Sequence, residues 1–114
     1  MKLMSFALTT AQFEARTKTE TRRLGWANLK PGEIVMGVEK GQGIPKGGKV
    51  NRLHPFKVVS NHPECLENID KAAVIREGFP DMSPWDFVMM FCKHNGCKST
   101  QIVNVIRFEH LDTP

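Results

Sequence analysis

TKTETRR, residues 17–23, sets three threonines, a lysine, a glutamate and two arginines into seven positions. As a solvated basic turn, the stretch only joins a helix to a strand. As the edge of a site, it gathers a hydroxyl, an amine and two guanidinium groups. Side chains three apart share a face on a helical turn but oppose each other on a regular strand. Lys18 and Thr21 therefore cooperate only where residues 17–22 make a turn, a bulge or a helix end.

The flanking sequence supplies such a place. Residues 3–8, LMSFAL, are a short apolar run that suits a buried strand. Thr9 and Gln12 resemble a capping box, which predicts a short helix over 10–16 ending at the basic stretch. Downstream, LKPGE (29–33) is a turn, with proline presetting φ and glycine accepting a positive one. IVMGVEK (34–40) reads as a strand. GQGIPKGGK (41–49) is a glycine loop whose spacing does not match a phosphate-binding fingerprint. NRLHPFKVVS (51–60) suits a strand interrupted or edged by Pro55. ECLENI (64–69) reads as a short helix.

SPWDFVMMFCKHNG has clear helix grammar. Ser83 is the N-cap, Pro84 takes the first helical position, Asp86 favours the first turn and Gly96 is the stop. Trp85, Val88, Met89 and Cys92 fall at i, i+3, i+4, i+7 and predict the core-facing stripe. QIVNVIRFEHL (101–111) is β-branched and reads as a strand. The expected architecture is α+β, one domain over 1–114. A bent sheet or small barrel is the way to bury so few strands.

Composition bounds the function. The chain has 114 residues, 40% apolar and 25% charged, as ordinary globular domains have. No run approaches a membrane span, and MKLMSFALTT lacks the layout of a secretory signal. Cys65, Cys92 and Cys97 are odd in number, which argues against a disulfide framework and for a reduced, cytoplasmic setting. Net charge is +4, unevenly spread. Residues 16–57 hold ten lysines and arginines against three acids, a net +7, leaving −3 for the remainder. Such asymmetry suits a polyanion such as RNA, or a nucleotide.

Few residues propose chemistry on their own. Cys92, His94 and Cys97 form C-x-H-x-x-C, zinc-ligand types without an evident fourth ligand, so no metal and no cofactor are expected. His54 and His62 precede prolines, and neither has a neighbour in sequence that makes a catalytic pair. Thr21 needs a base to become a nucleophile, and Lys18 serves as one only if burial or a nearby cation such as Arg22 or Arg23 lowers its pKa. Glu77, in IREGFP (75–80), has apolar flanks and a turn at Gly78 and Pro80. A carboxyl so placed suits proton donation, or equally a salt bridge to Arg76 or Lys18.

The chain resembles the ASCH domain family, whose fold is the PUA-like β-barrel. The family signature G-x-K-x-x-E-x-R aligns with residues 16–23. Lys18 and Arg23 match, Arg16 replaces the glycine and Thr21 the glutamate. LKPGEIVMGVEK and IREGFPDMSPWDFVMMFC follow the family's block order, so the resemblance spans nearly the whole chain. It implies a barrel of about five to six strands flanked by short helices. One branch, amidohydrolases that deacylate N4-acetylcytidine, carries K-T-x-T-x-R, which KTETRR fits. That likeness implies Lys18 as proton acceptor, Thr21 as nucleophile and Glu77 as proton donor. Arg22, Arg23, Trp26, Lys40, Lys46 and Phe79 are the expected binding residues. The alternative implied by other members is a non-catalytic RNA-binding module or a ribonuclease. The expected partner is thus a modified nucleoside or RNA, with no membrane.

Overall fold

The computed structural model describes residues 1–40, 48 and 50–113. The expectations for the 41–49 loop, Lys46 included, lie outside the described residues, Gly48 apart.

Among the described residues, five strands and three helices make an α+β domain. In chain order they are β1 (Leu3–Ser5), α1 (Thr10–Glu14), β2 (Glu20–Arg23), β3 (Ile34–Val38) and β4 (Arg52–Cys65). A 3-10 turn (Leu66–Asn68), α2 (Lys71–Arg76), α3 (Pro84–Asn95) and β5 (Ile102–His110) complete it. The strand order is β1-β3-β4-β5-β2, with β1 parallel to β3 and every other pair antiparallel. The outer strands β1 and β2 meet through a side chain. Arg23 Nη2 on β2 donates to the Ser5 carbonyl on β1 at 2.6 Å, and its guanidinium lies 5.0 Å over the Phe6 ring. The sheet is thereby rolled into a small barrel, its seam between β1 and β2 bridged by a cation.

Two cores flank the seam. Met4, Phe6, Phe13, Phe56 and Phe108 fill the barrel. Leu66, Val74, Phe87, Val88 and Phe91 pack α2 and α3 against the sheet. Inside the barrel Gly37 is obligatory, because a Cβ there would come within 2.4 Å of the Phe13 ring.

Several expectations are corrected. The basic turn ends at Thr19: residues 20–23 are β2, paired with β5 from Glu20–Arg107 to Arg23–Asn104. The strand at 51–60 is not an edge. It is β4, the middle of the sheet, and runs on through Cys65, where a helix was expected from residue 64. Pro55 is tolerated there because the β3–β4 register shifts between Met36 and Val38, beside its partner Met36. The α3 stripe is rotated. Phe87, Val88 and Phe91 face the core, while Trp85 is 58% exposed and Met89 49% exposed. Residues 87–92 are apolar without a break, so spacing alone leaves the phase open, and the two phenylalanines bury more area. The caps of α3 stand as read: Ser83 Oγ accepts from Asp86 N at 3.1 Å, and Gly96 ends the helix at φ 64°, whereas Thr9, read with Gln12 as a capping box, makes no side-chain cap bond to α1. Helix α2, capped by Asp70, had no counterpart in the sequence reading.

Arg16 takes φ 63° after α1. A left-handed residue there turns the chain from the helix into the 17–19 segment, and glycine adopts that conformation without a Cβ penalty. This gives a physical reason for the glycine of the resembling signature at this position. Here arginine takes its place, tied to Leu111 O and Asp112.

Candidate functional site

The segment 17–19 is fastened on every side before β2 begins. Thr17 and Lys18 donate backbone N–H groups to Gln12 O of α1 at 3.1 and 3.2 Å. Thr19 N donates to Arg76 O at the end of α2, and Thr19 O accepts from Phe108 N of β5. Lys18 is thereby aimed at Glu77, which caps α2 at its C-terminal end. Lys18 Nζ donates to Glu77 Oε1 at 2.6 Å and to the Glu77 carbonyl at 2.8 Å. Both side chains are buried. Gly78 follows at φ 103°, turning the chain so that Phe79 lines the cavity beside Glu77.

Strand alternation then sorts β2 into two faces. Thr21 and Arg23 share one face: Arg23 Nε donates to Thr21 Oγ1 at 3.0 Å. Glu20 and Arg22 share the other. Arg22 Nη1 donates to Glu20 at 2.6 Å and to Glu77 Oε2 at 3.3 Å, and Nη2 donates to Glu64 at 2.9 Å. Arg22 Nε is buried with no partner among the described residues. Glu20, fully buried, also accepts from Arg76 at 3.0 Å and Arg107 at 2.9 Å. A buried carboxylate thus carries three guanidinium groups, and one of them reaches the second oxygen of Glu77.

Burial lowers the Lys18 pKa below the usual lysine value, against the opposing pull of the Glu77 carboxylate. Burial likewise brings the Arg23 guanidinium down to about 10, with Glu77 opposing. For Glu20, burial raises the pKa, but Arg22, Arg76 and Arg107 outweigh it and hold the carboxyl below its ordinary value.

Lys18, Thr21 and Glu77 line one cavity of about 530 Å³, with Arg22, Arg23, Trp26, Lys40 and Phe79 also on its wall. That volume is within the range of small-molecule sites, roughly 300–1,000 Å³. The cavity opens between the two cores. Its polar end carries Lys18, Thr21, Arg23 and Glu77, and its apolar side is Phe79, Phe87, Met90 and Phe91. Trp26 is half-buried against the barrel core at φ 72°, a strained conformation for so large a residue. Asn61 Nδ2 holds that turn by donating to the Trp26 and Leu29 carbonyls, both at 2.8 Å.

Among the described residues, no group of three or more His, Cys, Asp or Glu gathers in metal-binding geometry. Cys92 and Cys97 lie 4.0 Å apart at the end of α3, and His94 lines the cavity mouth instead of joining them. Sequence reasoning missed two features. One is the Glu20 hub, whose arginine partners lie as far as 87 residues away. The other is a part-buried contact between His54 Nε2 and His110 Nδ1 at 2.7 Å, across 56 residues.

No family model and no curated protein matches this chain. Among solved structures, protein EF3133 from Enterococcus faecalis V583, described as DUF984, is similar with a TM-score of 0.66. The match covers 97% of this chain and 80% of that one at 10% identity. The likeness establishes a shared fold. No helix of the described residues is long and apolar enough to cross a membrane.

Proposed function

We propose that this chain is an ASCH-type amidohydrolase that removes the acyl group from N4 of a modified cytosine nucleoside. The observation that carries the reading is the 2.6 Å bond between Lys18 and Glu77 in a cavity that Thr21 also lines. Proton transfer across that bond leaves a free amine and a carboxylic acid, which are the base and the acid the reaction needs. Lys18 then takes the Thr21 hydroxyl proton as Oγ1 attacks the acyl carbonyl. Arg23, already donating to Thr21 Oγ1, favours the developing negative charge. As the C–N4 bond breaks, N4 takes the Glu77 proton and the free nucleoside leaves. Water next attacks the threonine ester, returning its proton to Glu77. The Thr21 oxygen recovers its proton from Lys18. Trp26 and Phe79 offer aromatic faces to the base, a contact worth roughly 1–3 kcal/mol.

The RNA-binding alternative loses part of its motive. Of the ten cations in residues 16–57, Lys18 and Arg22 are buried and Arg23 is turned inward against Phe6 and Ser5.

The test is incubation of purified protein with N4-acetylcytidine, with cytidine release followed by chromatography. Release is expected, and untouched substrate sinks the reading. The pH profile adds a second check. The pair works while it holds one proton, and that proton leaves at the lowered Lys18 pKa. The rate is therefore expected to fall at alkaline pH with a midpoint below the 10.5 of an ordinary lysine. A plateau extending past that value contradicts the shared-proton scheme.

A further inference from the structure

We propose that the His54–His110 pair is a positioning device that holds Lys18 from behind through its own peptide carbonyl, an inference that rests on the amidohydrolase reading. His110 Nε2 lies 2.6 Å from Lys18 O. A carbonyl only accepts, so this nitrogen carries the hydrogen. In neutral His110 the other nitrogen, Nδ1, is then an acceptor, and His54 Nε2 must donate to it across 2.7 Å. The tautomers of both rings follow from one carbonyl.

The surroundings make a polar pair costly. His54 stacks on Phe13 with centroids 4.2 Å apart. His110 meets Phe13 and Phe108 edge-on at 4.9 and 5.3 Å. Phenylalanine fills such a space without desolvating two imidazoles, and replacing both partners of a buried hydrogen bond by apolar groups is often neutral or stabilising. What phenylalanine lacks is the donor to Lys18 O. The other ties of this segment's backbone run to Gln12, Arg76 and Phe108, and the Thr17 hydroxyl adds one to Gln12 O. This one fixes the residue whose amine must meet Glu77.

The pair stays neutral near neutral pH. Burial lowers His54 to about 4, with Arg16 and His110 acting in the same direction and Asp112 against it. Burial lowers His110 too, with Arg16 assisting and the Lys18 carbonyl opposing.

The test compares wild type, the double variant His54→Phe/His110→Phe, and His110→Gln, which keeps a donor. Two readouts are used: N4-acetylcytidine kinetics, and titration of the Lys18 amine by NMR. The double variant is expected to melt at or above the wild-type temperature. Its kcat falls by roughly 10–100-fold with KM little changed, as loss of positioning predicts. Its Lys18 titration moves toward an ordinary lysine, and His110→Gln restores much of both. Unchanged kcat and Lys18 titration in the folded double variant overturn the proposal. So does a parallel loss of melting temperature and kcat that glutamine does not rescue. If the double variant does not fold, His110→Phe against His110→Gln decides by the same readouts. If wild type does not hydrolyse the substrate, the amidohydrolase reading fails, and the Lys18 titration still decides the positioning role.

Discussion

Thr21→Ala is expected to reduce deacylation of N4-acetylcytidine by about 10⁴-fold or more, with the fold intact. Thr21 is buried on the cavity face of β2, and its oxygen accepts one hydrogen bond, from Arg23 Nε. Alanine removes the nucleophile and leaves that N–H beside the cavity, where water replaces the lost acceptor. Thermal stability should therefore drop by only about 1 kcal/mol. Thr21→Ser keeps the hydroxyl and the Arg23 contact, and is expected to retain activity within about tenfold of wild type. Chromatography of cytidine release checks both variants. An alanine variant that turns over at the wild-type rate removes Thr21 from the mechanism.

The largest effect on stability is expected at a residue that touches no substrate. Glu20→Gln should cost about 3–5 kcal/mol, measured by urea unfolding at neutral pH. Glu20 is fully buried and bonded to Arg22, Arg76 and Arg107. Glutamine matches its shape but turns an N–H₂ group toward guanidinium donors and leaves the buried Arg22 short of a counter-charge. Total stabilities near 5–15 kcal/mol make this a large share. The pH dependence follows from the sign of the shift. The folded Glu20 pKa lies below the 4.5 of the unfolded chain. Its contribution is thus present above that value and is lost as pH falls through the folded pKa. The gap between wild type and Glu20→Gln should narrow in acid. An unfolding midpoint unchanged at neutral pH rules out the hub.

These two residues also mark the limits of the sequence. The K-T-x-T-x-R resemblance singled out Thr21 with Lys18, whereas the residues alone left a solvated turn open. Glu20, one position earlier, looked like part of a charged run, because its partners Arg76 and Arg107 are distant in the chain. Cooperation between Lys18 and Thr21 called for a turn, bulge or helix end over 17–22, but β2 begins at Glu20, sooner than any local signal indicates. Strand burial explains why: its charges are neutralised by tertiary pairs, which no local pattern records. The caps of α3 were legible because Ser83, Pro84 and Gly96 act on their own backbone. Its buried face was not, since 87–92 offers apolar residues all round. The central place of β4 was hidden by Pro55, which a register shift accommodates. The His54–His110 pair needed the β4–β5 pairing before it existed at all.

The most direct measurement is the mass of the enzyme during turnover. Wild-type protein mixed with excess N4-acetylcytidine and quenched in acid during turnover is digested, and the peptide containing Thr21 is weighed and fragmented. The account predicts one acetyl group on the Thr21 oxygen, and none in the same peptide of a Thr21→Ala control. Substrate consumed while the Thr21 peptide stays unmodified, or an acetyl group found on another side chain, contradicts it.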